Sequence, residues 1–130
     1  MDKTAMVKHL FLIEKERAGQ ALVRLLDQAS LDVRGAFWLY DSENNRWRLY
    51  LAIKQVDSLG PKRVYTKVQS VARRIPEIVP TEVSIVSPQH PTVRLLRNVI
   101  QTGRELTSVQ LSDNVVNGEL IADAFVYRMM

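Results

Sequence analysis

The sequence predicts an α+β fold: a single domain in which a mixed, mostly antiparallel sheet packs with helices in the order α-β-β-α-β-α-β-β. Two β-favouring segments flank a polar stretch within residues 35–53, which is typical of a hairpin. Apolar residues recur at helical spacing over 61–75. Asn117-Gly118, a pair preferred in type I′ turns, separates two further β-favouring segments. With 130 residues and 46% hydrophobic content, the chain is long enough for one hydrophobic core.

The first element is expected to be an amphipathic helix over residues 5–29. Gly19 interrupts its middle and has two interpretations: a close approach of the helix to a strand, or a break that leaves 7–13 as a separate strand. The charged run 14–17 is expected to face solvent. The apolar positions that predict the helix are Met6, Leu10, Ile13, Ala18, Ala21, Leu22, Leu25, Leu26 and Ala29.

The hairpin at 35–53 contains both tryptophans. A three-residue loop, Glu43 to Asn45, is favoured because Asn45 tolerates the left-handed conformation that such a loop requires. With that loop, or with one of five residues, one face points into the core and contains Phe37, Leu39, Trp47, Leu49 and Leu51. The other face contains Trp38, Tyr40, Arg48 and Tyr50. A four-residue loop would mix the two sets, because a slip of one residue sends side chains to the opposite face.

The Trp38, Tyr40 and Tyr50 face has two interpretations. Either a helix covers it, the hydroxyls find partners and Arg48 lies at its edge, or it is open and stacks on bases or on a partner's side chains.

Proline and glycine divide the second half of the chain. Pro61 suits the first turn of a helix and Pro76 should end it. Ser87 and Gly103 are expected to begin and end the next helix. The predicted elements are a helix at 61–75, a strand at 81–87, a helix at 88–103, and strands at 106–116 and 119–128.

Charge is distributed unevenly along the chain. Residues 58–104 carry eight basic side chains against Glu77 and Glu82, a net charge of +6, whereas the remainder carries ten basic and twelve acidic residues. This asymmetry is the strongest indication of a partner. The candidate binding cations lie in the two predicted helices of this region: Lys62, Arg63, Lys67, Arg73, Arg74, Arg94 and Arg97.

These cations are either an ordinary solvated helix face or a positive surface for phosphates or an acidic protein. If the two helices lie side by side, the arginines of both present their guanidinium groups together. The sequence contains no base-reading module, so the predicted contact with nucleic acid is with its backbone and is not sequence-specific.

No motif for catalysis, metals or cofactors is evident. His9 and His90 have no second ligand at metal-binding spacing, and Gly60-Pro61-Lys62 lacks the pattern of a phosphate-binding loop. Ser87 and His90 have no orienting acid that would indicate a nucleophile and its base.

One enzyme class remains as an alternative. A helix with Glu14, a strand that ends in Asp41, a strand that ends in Lys54, and then a helix and a strand resemble restriction-endonuclease-like metal nucleases in element order. The resemblance covers about half of the chain. It implies a Mg²⁺ site that includes Asp41, but the acid that the family's motif has two residues before the lysine is replaced by Ala52.

We therefore expect a small, non-enzymatic binding or accessory domain, with a metal nuclease or its degenerate relative as the alternative. The absence of cysteine fits a reducing cytoplasm, and no apolar segment is long enough to cross a membrane. The N-terminal segment does not resemble a signal peptide. A homodimer through the C-terminal hairpin is a further expectation if that hairpin leaves a long strand edge open.

Overall fold

The structure, a computed structural model, describes residues 3–41, 43–112, 114–116, 119–121 and 123–130. The predicted order of helices and strands is confirmed, with one short extra helix before the central one and with each of the last two strands divided. The helices are α1 (Lys3–Gln28), α2 (Gln55–Leu59), α3 (Pro61–Ala72) and α4 (Pro91–Arg97), and a 3₁₀ turn spans Pro80–Glu82. The strands are β1 (Val33–Asp41), β2 (Arg46–Ile53), β3 (Val83–Val86), β4 (Val109–Leu111), β5 (Asn114–Val116), β6 (Glu119–Ile121) and β7 (Ala124–Met129).

The main sheet has five strands in the order β3-β2-β1-β7-β4. Only β2 and β3 pair in parallel, so the sheet is mixed and mostly antiparallel, as predicted. Strands β5 and β6 pair with each other. The predicted Asn117-Gly118 turn between them lies outside the described residues. The edge strands β3 and β4 are four and three residues long, so each is a short template for adding another strand.

The register of the β1–β2 hairpin differs from the prediction. Four residues separate Asp41 from its partner Arg46, so the expected three-residue loop is wrong. Asn45 does adopt the expected left-handed conformation, with φ of 50°. The Asp41 carboxylate accepts hydrogen bonds from the backbone N–H groups of Glu43 (3.0 Å) and Asn44 (3.3 Å) and from the Asn44 amide (2.6 Å), which stabilises the longer loop.

The corrected register exchanges the predicted faces of β1. Trp38 pairs with Leu49 and Phe37 pairs with Tyr50, so each predicted set is divided between the two sides of the sheet. One side contains Trp38, Trp47, Leu49 and Leu51, and the other contains Phe37 and Ala52. Leu49 keeps its predicted inward position and is fully buried.

The sheet is buried on both faces. On one face, α1 and α3 cover the cluster that contains Trp38 and Leu49. On the other, α4 covers Phe37 and Val126. The helix before β3 and the helix after it therefore lie on opposite faces of the sheet.

The predicted helix at 88–103 is shorter than expected. It begins at Pro91, and His90 rather than Ser87 caps it, because His90 Nδ1 accepts the N–H of Thr92 at 3.1 Å. It ends at Arg97, before Gly103. The chain leaves the helix to pair with β7: the N–H of Thr102 donates to the carbonyl of Met129 at 2.7 Å, and the N–H of Met129 donates to Thr102 Oγ1 at 2.8 Å.

Helix α1 is continuous, and Gly19 marks its close approach to the sheet. A Cβ atom at Gly19 would lie 2.8 Å from Trp38 Nε1 and would also clash with the Tyr127 hydroxyl oxygen. The expectation that residues 14–17 all face solvent is wrong at Lys15, which is buried. Its ammonium group donates to Glu82 Oε1 at 2.7 Å and to the carbonyl of Glu77 at 2.5 Å.

Candidate binding surface

The exposed side of α3 carries a group of basic side chains. Val64, Val68 and Ala72 bury one side of this helix against the core, Gln69 and Val71 are half-buried, and the remaining positions lie in solvent. Within the described part of the chain, the exposed cations of α3 and of the turn after it make no ion pair or side-chain hydrogen bond: Lys62, Arg63, Lys67, Arg73 and Arg74. Five of the predicted binding residues thus stay available to a partner.

Helix α1 adds two further cations to this layer. Arg17 and Arg24 are exposed, seven residues apart on one side of α1, and have no partner among the described residues. Because α1 and α3 cover the same face of the sheet, their exposed sides point the same way. We call these cations the α1–α3 surface: Arg17, Arg24, Lys62, Arg63, Lys67, Arg73 and Arg74.

A groove lies between α1 and the segment that follows α3, at one end of this surface. Ala18, Ala21 and Ile75 contribute apolar lining, and Arg17 and Arg74 contribute charge. Glu14 and Glu77 also line the groove, so its charge is mixed. The uninterrupted positive charge lies along α3, where no acidic residue occurs between Lys62 and Arg74.

Arg94 and Arg97 do not join this surface, so the predicted juxtaposition of the two basic helices is wrong. Both lie on α4, which covers the opposite face of the sheet. Arg94 is exposed. Arg97 is half-buried, and its guanidinium donates to the carbonyls of Met130 (2.9 Å) and Pro88 (3.0 Å), so it holds the C-terminal strand in place.

The basic region also includes Arg104, which is engaged within the protein. Its guanidinium lies 3.5 Å from Asp32, which also accepts two hydrogen bonds from Arg34 at 3.0 and 3.1 Å. Partial burial opposes ionisation of Asp32, but the two arginines outweigh it and lower the pKa of that carboxyl below 3.8.

The predicted aromatic patch of Trp38, Tyr40 and Tyr50 is not a continuous open face. Trp38 is fully buried, and its Nε1 donates to the Tyr127 hydroxyl at 3.0 Å. Tyr50 lies on the other side of the sheet and stacks on Phe37 with ring centroids 5.1 Å apart. Half-buried Tyr40 contacts Asn45 through its hydroxyl at 3.3 Å.

Arg48 lies on β2, next to the edge strand, and donates to Ser84 of β3 at 3.0 Å. Helix α1 and Tyr127 cover Trp38. The helix can pack this closely because Gly19 has no side chain that would meet the two rings.

Arg17 and Arg24 belong to the basic layer but are not among the binding residues predicted from the sequence. The available signal is their spacing: seven residues equals two helical turns, so both lie on the polar side of α1. That α1 packs beside α3 on the same sheet face depends on contacts that are distant in the chain.

The constellation of a metal nuclease is not assembled. Asp41 lies at the loop end of the hairpin and is engaged with Asn44, whereas Lys54 follows the opposite end of β2. At about 3.3 Å per strand residue, the eight residues of β2 separate them by roughly 25 Å.

The described residues contain no cluster of His, Asp or Glu side chains suited to a metal ion. None of the helices among them is both long and apolar enough to cross a membrane.

The comparisons with known proteins give no further indication of function: the chain matches no protein-family model, no curated protein and no solved structure.

Proposed function

We propose that this protein is a non-enzymatic binding domain that engages an anionic macromolecule through the α1–α3 surface. The observation that supports it is the set of cations on one helical layer that have no partner within the described residues. Such cations attract a polyanion and lose little on binding, because no internal ion pair has to break.

An acidic protein is the preferred partner, and the backbone of a nucleic acid is the second candidate. Binding of single strands usually combines cations with open aromatic rings on which bases stack. Here Trp38 is buried, and Tyr50 stacks on Phe37 across the sheet from α3. Tyr65 is the aromatic residue that α3 itself exposes, at 41% of its surface. The surface therefore offers charge with little means of reading bases.

The absence of cysteine supports a reducing compartment, and we place this binding function in the cytoplasm. Homodimerisation through the C-terminal hairpin stays a prediction.

The test compares two double variants with the same change of charge. Arg63→Gln/Lys67→Gln removes two cations of the α1–α3 surface, and Arg46→Gln/Arg94→Gln removes two exposed cations elsewhere. Fluorescence anisotropy follows binding to a labelled polyglutamate peptide and to a labelled duplex at about 50 mM salt, where such contacts are weakly screened.

The first variant should weaken binding at least about tenfold, since a hydrogen bond to a charged group contributes about 1.5 kcal/mol or more. The control should change it less than about twofold. Binding of only the peptide would identify an acidic protein as the partner. Binding of only the duplex would identify the backbone of a nucleic acid. Equal losses in both variants, or no binding of either probe, would contradict the proposal.

A further inference from the structure

A second basic site lies at one end of the sheet, away from the α1–α3 surface. The parallel strands β2 and β3 end side by side there, with Ala52 aligned to Val86. In open α/β sheets, ligands bind in the crevice beyond the carboxyl ends of the parallel strands, and β2 and β3 are the parallel pair of this sheet. Strand β1 begins at this end of the sheet and β7 ends there, because β1 is antiparallel to both β2 and β7.

An open pocket of about 350 Å³ lies at this end of the sheet. Its volume falls in the range of small-ligand sites. Five elements or connecting segments of the chain contribute polar side chains to it: Arg34 near the start of β1, Lys54 after β2, Asp57 on α2, Gln89 after β3 and Arg97 on α4.

Two of the three cations are held in fixed positions. Arg97 donates to the carbonyls of Met130 and Pro88, and Arg34 donates twice to Asp32. A guanidinium has five N–H donors, so each arginine keeps three for another acceptor. Lys54 is exposed, and its side-chain ammonium group forms no hydrogen bond or ion pair within the described residues.

The charge of the pocket favours an anion. Three cations face one lining carboxylate, Asp57. Asp32, which neutralises part of the charge of Arg34, is shared with Arg104 at 3.5 Å.

We propose that this pocket binds the phosphate group of a small molecule. A phosphate has up to two charges and several acceptor oxygens, which suits cations that converge from three elements, whereas a carboxylate has one charge and two oxygens. Gln89 adds an amide that donates to the same group. The pocket uses none of the α1–α3 cations, so this proposal is independent of the proposed function.

The experiment is a titration of the ¹⁵N-labelled protein with inorganic phosphate, with a nucleoside monophosphate and with acetate, at constant ionic strength. Saturable shifts of the amide signals of Lys54 and Gln89 are expected with the phosphate ligands, and weaker ones with acetate. Tighter binding of the monophosphate than of inorganic phosphate identifies a phosphorylated small molecule as the ligand, and the reverse identifies free phosphate.

Lys54→Gln should raise the dissociation constant about tenfold, because it removes a charged donor. The matched control is Arg46→Gln, which removes one exposed cation at the opposite end of β2 and should change the constant less than about twofold. The side chains of Lys54 and Arg46 form no hydrogen bond or ion pair among the described residues, so both variants should fold. Absence of saturable shifts up to about 20 mM phosphate, or equal effects of the two variants, would overturn the proposal.

Discussion

Three polar side chains connect α1 to distant parts of the chain. Lys15 pairs with Glu82 at 2.7 Å, and the Tyr127 hydroxyl donates to the carbonyl of Glu16 at 2.6 Å. Arg128, exposed at only 2%, donates to both carboxylate oxygens of Asp27 at 3.0 and 2.9 Å. Burial raises the pKa of Tyr127, so the phenol stays protonated and keeps donating.

Each of these donors is satisfied inside the protein, so these residues stabilise the fold rather than offering a site to a partner.

The first prediction concerns Lys15. Replacing it with alanine leaves the Glu82 carboxylate, whose side chain is exposed at only 12%, without its cation, and we expect a loss of about 3–5 kcal/mol in the free energy of unfolding. Arg17→Ala is the control: it removes a nearby exposed cation of α1 and should change stability by less than about 0.5 kcal/mol. Urea denaturation measures both. If both substitutions changed the free energy of unfolding by an equally small amount, the Lys15–Glu82 pair would contribute no stability.

The packing of α1 on the sheet depends on a glycine, Gly19, which has no side chain. Gly19 lies against Trp38 and Tyr127, and the buried positions Ala18, Leu22 and Leu26 continue the contact along the helix. For a substitution of Gly19 by alanine, helix propensity therefore predicts a more stable protein and packing predicts a less stable one. This difference allows the contact to be tested.

Gly19→Ala should destabilise the protein. Propensity alone would favour alanine by about 1 kcal/mol. The added Cβ would lie 2.8 Å from Trp38 Nε1 and would displace the buried Tyr127 ring, so a net loss of about 1–3 kcal/mol is expected. Gly103→Ala is the control, since no atom lies within 4 Å of a Cβ there. An increase in melting temperature for Gly19→Ala would show that α1 does not approach the sheet this closely.

The local signals of the sequence predicted the elements well but not their ends. The apolar repeats identify α1 and α3, and the two β-favouring segments of residues 35–53 identify β1 and β2. The hairpin register depends on Asp41 accepting hydrogen bonds from the loop, which spacing alone does not reveal. The end of α4 depends on Thr102 pairing with Met129, a contact between distant residues.

For the whole molecule, the basic charge of residues 58–104 divides between the two faces of the sheet. The cations of α3 remain together beside Arg17 and Arg24, whereas those of α4 lie on the opposite face. The sequence indicated the charge but not this division, because neither helix carries a local signal for the face that it covers. Five of the predicted binding residues consequently form one surface, and Arg97 instead holds the end of β7.

The most direct test of the α1–α3 surface is the salt dependence of its binding to a polyanion. A logarithmic plot of the association constant against salt concentration should be steep for the unmodified protein. Its slope should decrease by about two in Arg63→Gln/Lys67→Gln, because each cation removed releases about one counterion fewer. The slope of Arg46→Gln/Arg94→Gln should not change. A slope near zero in the unmodified protein, or an equal decrease in both variants, would contradict the assignment of binding to this surface.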